Sequence, residues 1–146
     1  MISPFQLGVI AAAYNFSPLI FNVGFTESQA ISDLDPNMWS PFGQLMVLVW
    51  GGVFLATGMA NDPSTAFAWY AFILEKLVYV IGWIHWHSTH PGLALVQEAS
   101  ASGLSTQVLA PLFHCIYGAG DFVFAILFWK MGNQLQQQKM EKGHFN

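Results

Sequence analysis

AFAWYAFILEKLVYVIGWIHWHS, residues 66–88, is apolar over a length that suits a bilayer, yet it holds an adjacent acid and base, Glu75 and Lys76, near its centre. A helix rises about 1.5 Å per residue, so about 20 apolar residues cross a hydrocarbon core of about 30 Å. A charged side chain in the middle of such a helix costs roughly 2.5–3.5 kcal/mol on insertion scales, and it normally faces a partner or a wet cavity. Working outward, three more stretches share this character, giving spans at 4–25, 41–60, 66–88 and 108–131. The last of them contains a third buried-type charge, Asp121. The fold class expected is all-α, a transmembrane four-helix bundle occupying residues 1–131 as a single domain, with a polar cytoplasmic tail at 132–146.

Composition agrees with a membrane protein: 54% of the residues are hydrophobic, 16% aromatic and only 8% charged. Eight acids face four lysines and no arginine, which leaves no basic patch for nucleic acid. Cys115 is the only cysteine, so an internal disulfide, a Cys-x-x-Cys redox centre and a cysteine-rich zinc site are excluded. The amino-terminal stretch MISPFQLGVIAAAYNFSPLIFNVGF has no basic region ahead of its apolar run and reads as a retained first helix. Lys130, Lys139 and Lys142 flank or follow the last span, whereas the first and third loops carry no Lys or Arg. The positive-inside rule therefore places both termini in the cytoplasm, with the acidic first loop outside. Trp39, Trp83, Trp86 and Trp129 fall near span ends, where interfacial anchors are expected.

Depth along each helix groups the polar residues. Counted from the cytoplasmic ends, Glu75 lies about 13 Å in, Asp121 about 15 Å and Asn15 about 16 Å, a common level near the midplane. Tyr79 and Tyr117 follow at about 20 Å, and Asn22, His85 and His114 at about 25–29 Å. Helical phase supports the grouping: His114, Tyr117, Gly118 and Asp121 share one face, Glu75, Tyr79, Gly82 and Trp86 another, and Gly8, Ala12, Asn15 and Asn22 a third. Gly51, Gly52, Gly82, Gly118 and Gly120 would let backbones approach. Neighbours on a helix point about 100° apart, so Lys76 is expected to meet Asp121 rather than Glu75. Two readings of the layer stay open: a hydrogen-bonded network that only joins helices, or a ligand or proton site built from the same groups.

The segment HWHSTHP adds His85, His87 and His90 at the outer end of the third span. His85 and His87 are about 200° apart on a helix and cannot share one ion without unwinding. A b-type haem or another metal between His85 and His114 is the remaining cofactor option, but no arginine is present for haem propionates. Interfacial histidine is the default, and no cofactor or metal is expected.

FILEKLVYVIGWIHW (72–86), IYGAGDFVFAILFW (116–129), YNFSPLIFNVGF and FGQLMVLVWG together resemble a family of small bacterial four-span membrane proteins with no established activity. The resemblance implies a bacterial inner-membrane location and makes Glu75, Lys76 and Asp121 recurring motif positions. In layout alone the chain is similar to DoxX-like proteins and to the EXPERA group, which implies a cavity for apolar ligands lined by acids. The leading expectation is accordingly a pocket for a small amphipathic or lipid-like molecule such as a quinone or isoprenoid. Asp121 and Glu75 would anchor it or carry protons, with Lys76 as counter-charge, and catalysis is left open. The alternatives are an accessory subunit of a larger membrane complex and proton-coupled transport by an oligomer; no broken helix or inverted repeat favours transport.

Overall fold

The computed structural model describes residues 2–21, 30–101 and 105–144. Its helices run in the order α1 (Pro4–Phe16), α2 (Pro18–Phe21), α3 (Ala30–Leu34), α4 (Pro41–Ala60), a 3-10 turn (Pro63–Thr65), α5 (Ala66–Thr89), α6 (Gly92–Ala101) and α7 (Ser105–His144). No strand occurs among the described residues, so the all-α class holds. Three segments, Pro41–Ala60, Pro63–Thr89 and Val108–Lys142, are long and apolar enough to cross a membrane, which marks a membrane protein.

Local chemistry explains the boundaries. Ser3 and Gln6 form a reciprocal capping box, and Pro4 occupies the first helical position where its missing N–H costs nothing. Pro18 cannot donate within the ladder, so α1 stops at Phe16 and the chain resumes as the short α2. The first predicted span, 4–25, is therefore not one unbroken helix, and its end lies outside the described residues. Ser40 caps α4 by accepting from the Gly43 N–H, and Asn61 ends it in the left-handed region at φ 45°. Asp62 then accepts from the Ser64 N–H at 2.8 Å, closing the tight connection into α5. Helix α4 has the predicted bounds, and α5 runs one residue beyond them. The predicted fourth span is the middle of α7, which continues as helix to His144 through most of the expected tail. Part of the expected third loop is helix α6, which packs on α7.

Helix α1 packs along α4, and α5 along α7. At the first contact a Cβ on Gly8 would lie 2.7 Å from the Phe54 carbonyl oxygen and 2.9 Å from Gly58 Cα, so only glycine permits the approach. Gly118 is covered by the Trp83 ring, whereas nothing lies within 4 Å of where a Cβ on Gly52 would be, so that glycine serves no close contact. Helices α4 and α5 are joined by a short turn but touch only sparsely, which leaves a groove between them.

Two apolar clusters flank the charged layer. Leu7, Phe54, Trp69, Phe72 and Phe128 fill the end nearer Ala66, and Ile31, Trp39, Val47, Ala110 and Tyr117 fill the end nearer Thr89. Trp39 is fully buried and Trp86 is 5% exposed, so both are core residues and not the interfacial anchors expected from their positions. Trp129 is 54% exposed and fits that role, while Trp83 donates its Nε1–H to the His114 carbonyl at 2.8 Å.

Candidate functional site

Between the two clusters, α1, α5 and α7 each contribute to one polar group centred on Lys76. Its Nζ lies 2.8 Å from Asp121 Oδ1 and donates to Asn15 Oδ1 at 2.6 Å. The Asn15 amide turns its other end to α4, donating Nδ2 to the Val47 carbonyl at 3.1 Å. One asparagine thereby couples the lysine to two helices. Faces of Tyr14, Phe54 and Tyr79 surround the ammonium at 5.6, 5.1 and 5.9 Å, adding cation–π attraction where water is excluded.

Glu75 relates to this group differently. Its Oε2 stands 3.5 Å from Lys76 Nζ, closer than the 100° offset between neighbours suggested, because the flexible lysine stem bends back. Glu75 Oε1 has no hydrogen-bond partner among the described residues, although the side chain is only 3% exposed. A buried acceptor left unmade costs about 1–3 kcal/mol, and more when charged. Glu75 lines a cavity of about 430 Å³ between α4 and α5, with its carboxylate oxygens buried behind the surface, and the other lining residues, among them Trp50, Leu74 and Val78, are apolar apart from Tyr79. Met46, Val78 and Tyr79 also line a second cavity of about 560 Å³ toward the Thr89 end, so the two form one groove. Phe42, Leu74 and Val78 on its edges are 71, 68 and 61% exposed, so the groove opens sideways between apolar lips.

Asn15, Glu75, Lys76 and Asp121 thus meet as their depths predicted, and Tyr79 stands beside them. Tyr117 sits one layer on, stacked on Tyr14 at 4.8 Å, with its carbonyl accepting from the Tyr14 hydroxyl. Tyr14 was missed because an aromatic in an apolar helix carries no distinguishing signal of its own. His85 is exposed and lines the larger cavity. Asn22 lies outside the described residues.

His114 belongs to a separate cluster. Trp39 Nε1 donates to its Nδ1 at 3.2 Å, and since indole only donates, the imidazole proton must sit on Nε2, which lies 3.3 Å from Asp35 Oδ2. The ring also meets Trp86 edge-on at 4.2 Å. The Trp39 indole thus occupies Nδ1 of His114, while Nε2 faces the Asp35 carboxylate. Among the described residues no group of three or more His, Cys, Asp or Glu could hold a metal ion.

Asp35 ties the segment before α4 to α7. Burial pushes its carboxyl upward, but the His114 hydrogen bond and the backbone N–H of Met38 outweigh that and hold it below its ordinary value of 3.8. A depressed folded value means that the stabilisation is complete above the ordinary value and is lost as pH falls through the folded one. Acidification below about pH 4 is therefore expected to release this clasp and change tryptophan emission, and Asp35→Asn should remove the pH dependence. An unchanged acid transition in that variant would refute the assignment.

No protein-family model matches the chain, and no curated protein and no solved structure matches it either.

Proposed function

We propose that the protein binds a small amphipathic or lipid-like ligand in the α4–α5 groove, with Glu75 as its intramembrane polar anchor. The observation that carries this reading is a carboxylate with a free acceptor oxygen, buried in the wall of an otherwise apolar cavity that opens sideways. Asp121 also keeps a carboxylate oxygen without a hydrogen-bond partner, but of the two acids only Glu75 lines the groove. Lys76, Asp121 and Asn15 lie behind this wall and fix the electrostatics of the carboxylate.

The setting proposed is a bacterial inner-membrane four-helix bundle in which α1 and α2 together act as the first span. Residues 4–21 give an axial length of about 27 Å, near the thickness of a hydrocarbon core. The lysines of α7 support a topology with the Ala66 end of α5 and both termini in the cytoplasm, in which the larger cavity faces outward. Val78 lines both cavities and faces no interior partner, being 61% exposed. Val78→Trp is expected to fill the groove without unfolding the protein and to cut co-purifying amphiphile by about tenfold, a factor worth 1.4 kcal/mol. Mass spectrometry of the purified wild type and variant reads this directly. Identical lipid content in both, matching the bulk membrane extract, would sink the idea.

A further inference from the structure

The groove has two polar stations rather than one. At its deep end stands Glu75, with an acceptor oxygen unmade. At its other end Asp35, Asn37, His85, Thr89 and His90 line the larger cavity; the Asp35 carboxylate is held by His114 and the Met38 N–H, and the Thr89 hydroxyl donates to the Trp86 carbonyl, so the Asn37 amide and the His85 and His90 imidazoles are the groups offered to a ligand. Between them the shared lining is Met46, Val78 and Tyr79, and Gly82 leaves the wall without a side chain where a Cβ would meet only the flexible end of Met38. Along α5, Glu75 is separated from His85 by about 15 Å and from Thr89 by about 21 Å. A compact ligand held by Glu75 would leave the second station unused, and a plain hydrocarbon tail anchored at the outer station would be pressed against an unsatisfied carboxylate.

We infer that the occupant is a single long-chain amphiphile lying along the whole groove, with a hydrogen-bonding head group at the outer station and a hydroxyl part-way along its chain donating to Glu75. This rests on the groove being a ligand site and adds the chemical class of the ligand. A hydroxyl fits because the deep station presents an acceptor in apolar surroundings, and an acceptor selects a donor. The head group must itself donate and accept, as a glycerol does, because the outer station mixes both kinds of partner.

Two monoacylglycerols of equal chain length, one with a hydroxyl about two thirds along the chain and one without, would be titrated against the full-length protein in nanodiscs. Native mass spectrometry would count bound ligand. Wild type is expected to prefer the hydroxylated lipid by about tenfold, the size of one hydrogen bond to a charged group. Glu75→Leu should abolish the preference. Should that variant not fold, Glu75→Gln keeps an acceptor without the charge and is expected to reduce the preference to about threefold, since neutral hydrogen bonds are roughly half as strong. His85→Ala, at an exposed outer position, should weaken both lipids alike and leave their ratio unchanged. Equal binding of the two lipids by wild type would overturn the two-station assignment while leaving the groove a ligand site. A preference surviving in Glu75→Leu, or a ratio altered by His85→Ala, would overturn it as well. Binding of neither lipid, together with no effect of Val78→Trp on co-purified material, would remove both readings.

Discussion

Replacing Lys76 by methionine is expected to cost about 3–5 kcal/mol of stability, the largest single effect at the polar layer. The side chain is 1% exposed, and its ammonium compensates two buried carboxylates, Asp121 at 2.8 Å and Glu75 at 3.5 Å. Methionine fills similar volume, so the loss is electrostatic: two acids remain without a cation, and Asn15 Oδ1 loses its donor. The combined variant Lys76→Met, Asp121→Asn and Glu75→Gln removes all three charges and should recover most of the deficit. Reversible unfolding in bicelles measures both. A loss below about 1 kcal/mol, with no gain in the triple variant, would mean the charges are screened as at a surface.

Trp39→Ala should cost a comparable amount, about 3–5 kcal/mol, by opening a cavity where a fully buried indole stood. It also removes the donor that fixes the His114 tautomer and an edge-on contact with Tyr117 at 5.1 Å. Trp129→Ala, at a 54% exposed position, should stay within about 0.5 kcal/mol. Similar losses for the two would restore the anchor role that both positions suggested from sequence.

The two tryptophans show where sequence was informative and where it failed. Length and apolarity located α4 and α5 almost to the residue, because a bilayer imposes a fixed span on any helix that crosses it. Depth and phase brought Asn15, Lys76 and Asp121 together for the same reason: a straight helix converts residue number into height. Trp39 and Asp35 escaped, since they precede α4 in the short segment after α3, and nothing in the string DLDPNMW says that a loop folds inward. The groove escaped too. It depends on α4 pairing with α1 rather than with α5, its sequence neighbour, and small residues such as Gly8 and Gly58 could be matched only once both helices were seen side by side.

Having two acids for one lysine bears on how the chain is made. Synthesis delivers α5 before α7, so Lys76 emerges while Asp121 has yet to be translated. Glu75, already 3.5 Å from the ammonium in the finished fold, is the counter-charge available within α5 itself. The segment can leave the insertion machinery with zero net charge. When α7 arrives, Asp121 becomes the nearer partner at 2.8 Å and Glu75 is left with an oxygen to spare. The carboxylate that balances the charge of α5 within that one helix is thus also the one that lines the groove in the finished fold.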